Sequence, residues 1–183
     1  MLVRRCAVAM LGTALVLSGC SSSSNTPAQS ASPSASSSAF TYKSVSVSGP
    51  FGEKPTLLIG DDLQGLLPFM DGSADTKLVI RDVIDGTGPA ATADSKVSVN
   101  YVARTAKTKK TFDSSWARGK TYDYVPKDMG FAAFKDGVIG MKVGGRRLVV
   151  VPASLGFGDH PPENSGVRPG ETLVFVIDLQ SVS

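Results

Sequence analysis

The second half of the chain combines many aromatic residues with one carboxylate placed among them. The aromatic set consists of Tyr101, Phe112, Tyr122, Tyr124, Phe131, Phe134, Phe157 and Phe175. Asp113 directly follows Phe112 in a Phe-Asp-Ser-Ser sequence, and Arg118 comes shortly after it. Aromatic residues in a small domain most often fill the core. If these rings instead line a dry cavity, Asp113 needs partners such as Arg118 and Tyr101, because an unpaired buried charge is costly. An alternative interpretation makes Asp113 a turn residue that caps its own backbone through Ser115.

The side chains that most enzymes use for proton transfer or metal binding are scarce. His160 is the single histidine and lies in a Gly-Asp-His-Pro-Pro loop. A Ser-His-Asp hydrolase would depend on it, yet the chain lacks the Gly-x-Ser-x-Gly turn of such enzymes. No phosphate-binding glycine motif occurs, and zinc is not expected with so few nitrogen and sulfur ligands. We therefore expect no cofactor and no metal, and we expect Met129 and Met141 in the core.

The predicted elements form an antiparallel sheet with one short helix. Val97 to Arg104 alternates apolar and polar residues, so Tyr101 points inward. Leu148 to Val151 is a continuous aliphatic run, as expected of a strand that is buried on both faces or lies beneath a helix. Thr172 to Val182 supplies a last strand, and its residues on one face are Leu173, Phe175, Ile177 and Leu179. Apolar residues at helical spacing from Phe134 to Met141 predict a helix that Gly144-Gly145 ends. The predicted fold class is α+β, an antiparallel β-sheet wrapped around one short α-helix.

The run from Phe134 to Gly158 resembles the central signature of the FKBP-type peptidyl-prolyl cis-trans isomerases. It contains an aromatic residue, a helix end that reaches a Gly-Met-Lys-Val-Gly-Gly-Arg-Arg turn, an apolar strand, and a proline followed by a Leu-x-aromatic-Gly corner. The intervals agree with that family throughout Val97 to Val182. The resemblance implies an FKBP-like fold, isomerisation of X-Pro bonds, and proline-containing polypeptides as substrates.

The resemblance also implies roles for individual residues. The implied catalytic set is Tyr101, Phe112, Asp113, Phe134, Phe157 and Phe175, and the implied substrate contacts are Arg118, Tyr122, Tyr124, Phe131, His160 and Val167. Phe134 stands where the family usually has a tryptophan floor, Phe157 replaces a usual tyrosine, and Gly130-Phe131 replaces a common Val-Ile. These departures leave an alternative function open: a binding module that holds proline-containing segments or a cell-envelope partner without turning them over.

The N-terminal residues predict export and anchoring. Residues 1–19 carry two arginines near their start, Arg4 and Arg5, and continue with an apolar run too short to span a bilayer, as in secretory leaders. The Leu-Ser-Gly-Cys ending resembles a bacterial lipobox, which implies a diacylglycerol on Cys20 and a location on the extracytoplasmic face of the cell membrane. An ordinary secreted protein with a free Cys20 is the alternative. Residues 20–39 are serine-rich and uncharged, so we expect a disordered tether.

Charge and length limit the remaining possibilities. Without the two leader arginines, 17 basic residues face 16 acidic ones, which argues against nucleic acid as a partner. We expect a monomer with one isomerase domain at residues 77–183, preceded by an arm of uncertain structure at residues 40–76. Strands are predicted around Val45 and at Thr56 to Ile59, and we expect the arm to continue the sheet or cover its edge. The apolar residues expected to pack beside the domain are Leu63, Leu66, Leu67, Phe69 and Met70.

Overall fold

The strands of the computed structural model, which describes residues 40–42, 45–60 and 77–183, form two antiparallel sheets. The smaller sheet consists of β1 (Phe40–Tyr42), β2 (Val45–Ser48) and β3 (Thr56–Ile59), in that order. The larger sheet consists of β4 (Val79–Ile84), β5 (Val97–Thr105), β6 (Thr111–Ser114), β7 (Tyr122–Tyr124), β8 (Arg146–Val151) and β9 (Leu173–Val182). Two helices of one turn each are α1 (Ser115–Arg118) and α2 (Ala132–Lys135).

The larger sheet runs in the order β4-β8-β9-β5-β6, and β7 also pairs with β5. β7 pairs with the start of β5, at Val97 to Val99, whereas β6 pairs further along, at Val102 to Arg104. The two short strands therefore follow each other along one edge of β5, and α1 lies in the chain between them. The α+β class and the antiparallel sheet agree with the predicted fold, and α1 adds a second short helix.

The predicted helix is shorter than its apolar spacing indicates. α2 ends at Lys135, and Asp136 to Met141 forms turns instead. Gly140 has φ of 76°, a left-handed conformation that interrupts a helix before Gly144 is reached. A side chain at Gly137 would collide with the carbonyl oxygen of Ala133. The glycine pair at Gly144 therefore turns the chain into β8 and does not end the helix.

Both faces of β8 and β9 are buried, which is one of the two arrangements predicted from the aliphatic run of β8. Val149 and Val151 belong to an inner core cluster, together with the β9 residues Leu173, Phe175, Ile177 and Leu179. The alternate residues of β8, Leu148 and Val150, belong to an outer cluster on the opposite face of the sheet. The sheet thus has no solvent-facing side along these two strands.

The outer cluster is covered by residues 45–60 of the arm. Val45, Val47, Leu57 and Ile59 point inward from β2 and β3 and pack on the outer face of the larger sheet. For the described residues of the arm, the expectation that they continue the sheet or cover its edge is wrong: they form a sheet of their own, which covers a face. Apolar residues on both sides of β8 require such a cover, because bare aliphatic surface of this extent is unfavourable in water.

A buried ion pair also ties the arm to the larger sheet. Arg146 lies on β8 and Asp178 on β9, and the Nε atom of Arg146 donates to the carboxylate over 2.6 Å. The guanidinium also donates to the carbonyl oxygens of Gly49 and Glu53, both over 2.7 Å. The N–H of Gly52 donates to Asp178 over 3.0 Å. The turn between β2 and β3 is therefore held by both members of the pair.

Several predictions lie outside the described residues. These are the leader at residues 1–19, the lipidated Cys20 with the tether at residues 20–39, and the apolar positions between residues 61 and 76. In the part of the chain that is described, no helix is long and apolar enough to cross a membrane.

Candidate functional site

A cavity of about 580 Å³ opens on the inner side of the larger sheet. Its size is within the range of small-ligand pockets. Its lining consists of Tyr101, Phe112, Asp113, Arg118, Lys120, Tyr122, Met129, Phe131, Phe134, Phe157 and Phe175. Seven of these residues carry aromatic rings, so the cavity is largely apolar with a small charged group on one wall.

The sheet and α2 hold the rings in place. Phe175 pairs with Ala103 of β5 and Val149 of β8, which sets its ring in the middle of the sheet. The ring of Phe134 rises from α2 and meets Phe175 and Tyr101 with centroid distances of 5.6 and 4.9 Å. Such edge-to-face contacts are favourable and restrict ring motion. The rings brace one another around the cavity and leave its centre open.

Phe131 and Phe157 complete the aromatic wall from two loops. Their ring centroids lie 5.2 Å apart, and Phe131 also contacts Phe175 at 5.5 Å. Phe112 of β6 meets Phe157 at 6.2 Å in an edge-to-face arrangement. The two loop residues therefore bridge the strand residues on either side.

The charged group on the wall is a triad around Asp113. The hydroxyl of Tyr101 donates to Oδ2 of Asp113 over 2.5 Å. Oδ1 of Asp113 accepts from Arg118 and from the backbone N–H of Ser114, the latter over 2.7 Å. Arg118 also donates to the hydroxyl oxygen of Tyr101 over 2.7 Å, and its guanidinium carbon lies 5.3 Å from the centre of that ring. Asp113 thus has the partners that a carboxylate in a cavity requires. It also accepts a hydrogen bond from the backbone of the next residue, Ser114.

The triad has a distinct protonation behaviour. Burial, together with the hydrogen bond to Asp113, raises the pKa of Tyr101 to about 12. The hydrogen bond to Tyr101 raises the pKa of Arg118. Tyr101 therefore remains a neutral donor and Arg118 a cation throughout the physiological range, and neither group exchanges a proton there.

Ser115, the first residue of α1, fixes this triad to β5. Its hydroxyl oxygen accepts from the backbone N–H of Tyr101 over 2.9 Å and donates to Asn100 over 2.9 Å. Gly119, with φ of 67°, ends α1 and directs the chain into β7. Arg118 therefore lies on a short helix that Ser115 attaches to the backbone of Tyr101, and Tyr101 is also a hydrogen-bond partner of Arg118.

The structure does not bring three predicted residues to the cavity. Tyr124 lies two residues further along β7 than Tyr122, packs against Phe134 with a centroid distance of 5.5 Å, and is buried. Val167 is part of the inner core cluster. His160 is exposed in its loop. None of the three side chains lines the cavity, because distance along a strand and loop direction, not residue type, decide which side chains reach the opening.

Two cavity residues were not predicted to line the cavity. Lys120 and Met129 lie on its wall, although Met129 was expected in the core. Neither residue lies in a strand or helix, so no periodicity of the sequence places its side chain, and the packing of the loops brings both to the wall. Met141, in contrast, is buried in the inner cluster as expected.

The cavity offers binding and exclusion of water, with no group arranged for acid-base chemistry. Its carboxylate accepts hydrogen bonds from Arg118, Tyr101 and Ser114. Within the described ranges, no three histidine, cysteine or acidic side chains lie close enough together to hold a metal ion. The arrangement suits a reaction in which an apolar environment, and not proton transfer, lowers the barrier.

A family model described as FKBP-type peptidyl-prolyl cis-trans isomerase matches residues 88–180. An FK506-binding protein from Streptomyces anulatus is 41% identical over 115 residues, which cover 62% of this chain and 93% of that protein. A probable FK506-binding protein from Corynebacterium glutamicum is 44% identical over 111 residues, which cover 60% of this chain and 91% of that protein.

A solved structure, that of FkpA from Escherichia coli, is similar to this chain with a TM-score of 0.53 and 31% sequence identity. The similarity covers 60% of this chain and 50% of FkpA. The arm lies before the region that the family model matches, whereas every residue of the cavity lies inside that region.

Proposed function

The chain belongs to the FKBP-type peptidyl-prolyl cis-trans isomerases, and we propose that it accelerates rotation about X-Pro bonds in exported proteins by sheltering the twisted amide in its aromatic cavity. The observation that carries this proposal is the open cavity of about 580 Å³ walled by rings, with a single carboxylate already neutralised by Arg118. The cavity is large enough for a proline ring and its neighbouring peptide unit.

The mechanism follows from the electronic structure of the amide. Rotation about the C–N bond removes resonance and costs about 20 kcal/mol, so uncatalysed exchange takes tens of seconds or longer. In the twisted state the carbonyl oxygen carries less negative charge and loses less when water is removed. A dry cavity therefore disfavours the planar amide more than the twisted one, which lowers the barrier between them.

The energy required is modest. A ten-thousandfold acceleration corresponds to roughly 5 to 6 kcal/mol of preferential stabilisation. Desolvation by the rings together with one or two hydrogen bonds can supply that amount. The triad contributes by keeping Asp113 paired, because a free carboxylate would draw water into the cavity and weaken the effect.

The direct test is an exchange measurement on X-Pro peptides by NMR with the purified full chain. We expect cis-trans exchange well above the uncatalysed rate, and we expect Tyr101→Ala to lose most of the acceleration while its circular dichroism spectrum remains folded. Leu58→Ala, at an exposed position of the arm, serves as the matched control and should behave as wild type. A wild-type rate equal to the uncatalysed one would remove the enzymatic mechanism.

A second candidate is the binding module without turnover, and the replacement of a usual tyrosine by Phe157 favours it. The cavity would then hold proline-containing segments or an envelope partner. Peptide shifts on titration, without any gain in exchange rate, would select this function over isomerisation.

We further propose that the protein is anchored to the extracytoplasmic face of the membrane through a lipid on Cys20 and acts there as a monomer. The support is the charged leader, its short apolar run and the Leu-Ser-Gly-Cys ending. In a bacterial host, the wild type should incorporate labelled fatty acid and sediment with membranes, whereas Cys20→Ser should do neither. Equal fractionation of both proteins would contradict the anchor, and light scattering checks the monomer.

A further inference from the structure

The two tyrosine hydroxyl groups of the cavity differ in the strength of the hydrogen bonds they already make. The Tyr101 hydroxyl donates to Asp113 over 2.5 Å and accepts from Arg118, so it has no donor capacity left for a ligand. Phe157 stands at the corner where the resemblance leads one to expect a tyrosine, and it has no hydroxyl. Tyr122 is the remaining tyrosine of the lining.

The Tyr122 hydroxyl has a weak partner. Its hydrogen-bond partner among the described residues is the thioether sulfur of Met129, over 3.8 Å. A thioether is a poor acceptor, and a phenolic hydroxyl in an apolar site gains more from an oxygen acceptor. The group therefore keeps most of its capacity to donate to a molecule that enters the cavity.

The ring of Tyr122 is held in one direction before any ligand binds. Its centroid lies 5.0 Å from that of Tyr124, 5.3 Å from Phe134 and 6.1 Å from Tyr101. A donor fixed in this way loses little conformational entropy when it forms a hydrogen bond, which increases its contribution to binding.

We propose that the hydroxyl of Tyr122 leaves the Met129 sulfur and donates to a carbonyl oxygen of the bound proline-containing peptide, a hydrogen bond that Phe157 cannot make. This inference rests on the proposed function of the cavity and names the group that orients the peptide within it. The donor acts on the planar and the twisted peptide alike, so it strengthens binding and leaves the chemical step nearly unchanged.

The test compares Tyr122→Phe with Tyr124→Phe in the full chain. Both substitutions remove one hydroxyl and keep the ring. The Tyr124 hydroxyl is buried without a hydrogen bond in the described part of the chain, and Tyr124 is not part of the lining. With an X-Pro peptide, Tyr122→Phe should weaken Kd by NMR titration about fivefold to tenfold. KM should rise with it while kcat changes less than about twofold, and Tyr124→Phe should retain the wild-type Kd and KM.

The outcomes separate this inference from the proposed function. If the wild type accelerates exchange but Tyr122→Phe binds peptide as well as the wild type, the hydroxyl is not the donor and isomerisation stands. Equal weakening by both substitutions would also contradict the role, because it would indicate a general effect on ring packing. If the wild type binds peptide without acceleration, isomerisation fails, and the ratio of the two Kd values still tests Tyr122.

Discussion

The two faces of the central sheet each carry an arginine paired with an aspartate, in opposite environments. On the inner face, the side chains of Arg118 and Asp113 are 40% and 38% exposed, and their pair borders the cavity. On the outer face, those of Arg146 and Asp178 are both 0% exposed beneath the arm. The exposed pair organises a binding site, whereas the buried pair holds two sheets together.

The environment decides what each pair does. A half-exposed pair contributes little to stability, because water screens it and competes for its hydrogen bonds. A fully buried pair need not stabilise the fold relative to apolar residues, but removal of one partner leaves a charge without water. Burial raises the pKa of Asp178, and the hydrogen bonds from Arg146 and Gly52 oppose that shift. Without Arg146, the N–H of Gly52 would be the one remaining hydrogen-bond donor that opposes the rise in the pKa of Asp178.

The largest expected effect comes from breaking the buried pair. Arg146→Ala leaves Asp178 and the carbonyl oxygens of Gly49 and Glu53 without their partner. We expect the free energy of unfolding to fall by about 3 to 5 kcal/mol in urea denaturation. Lys127→Ala, which removes an exposed pair with Asp94, is the control and should change it by less than about 0.5 kcal/mol. A loss below about 1 kcal/mol for Arg146→Ala would show that the arm is not held by this pair.

The second effect tests the apolar contact of the arm. Leu57 on β3 is 4% exposed and faces the outer cluster, whereas its neighbour Leu58 is 61% exposed. Leu57→Ala should reduce the free energy of unfolding by about 2 to 4 kcal/mol, because it removes buried contacts and leaves a cavity. Leu58→Ala should leave it within about 0.5 kcal/mol.

The activity of the Leu57→Ala protein tests whether the arm on the outer face influences the cavity on the inner face. Per folded molecule, its isomerisation rate should equal that of the wild type, since the cavity residues lie on the other face. A parallel loss of stability and rate at 25 °C, under conditions in which the protein remains folded, would show that the arm shapes the cavity.

The third prediction concerns the half-exposed pair, whose loss should affect activity more than stability. Arg118→Ala should change the free energy of unfolding by about 1 kcal/mol or less, because the pair is half exposed. Its kcat/KM should nevertheless fall about tenfold, because Asp113 is left as a charge that attracts water into the cavity. Arg118→Lys, which keeps the charge but not the forked geometry, should give an intermediate rate. Unchanged kcat/KM in Arg118→Ala would contradict a role for the triad.

The smallest effect is that of pH on the rate. Between pH 6 and 9 we expect kcat/KM to vary by less than about twofold, because no proton moves in the proposed mechanism and Tyr101, with a pKa of about 12, stays protonated. A steep rate profile in this range would contradict the mechanism.

The raised pKa of Tyr101 also predicts how stability responds to alkali. An ordinary tyrosine ionises near pH 10, so the neutral hydroxyl favours the folded state fully below that pH. The contribution of the Tyr101 hydroxyl to the free energy of unfolding should then decline between pH 10 and about 12, because the tyrosine ionises first in the unfolded chain. The measurable result is a wild-type advantage over Tyr101→Phe that shrinks across this interval in denaturation experiments.

Local periodicity predicted more of the inner face than of the outer one. Alternation in β5 placed Tyr101 inward, and alternation in β9 placed Leu173, Phe175, Ile177 and Leu179 on one face, which the inner cluster confirms. On the outer face, the aliphatic run from Leu148 to Val151 indicated burial on both sides or beneath a helix, but it did not identify the segment that covers it. The helix was predicted too long because hydrogen bonds to remote residues hold the chain after α2 in turns. The N–H of Gly140 donates to the carbonyl oxygen of Ala91, and Arg147 donates to the carbonyl oxygens of Gly137 and Ile139.

By itself, the sequence determined the family, the antiparallel α+β class and most of the aromatic residues around the cavity, because these follow from residue type and spacing along the chain. Only the tertiary structure decided that the arm covers a face of the sheet, that Lys120 and Met129 line the opening, and that Tyr124, His160 and Val167 do not. Those outcomes depend on how far along a strand or loop a side chain lies from the opening, and that distance is set by the packing of segments remote in the chain.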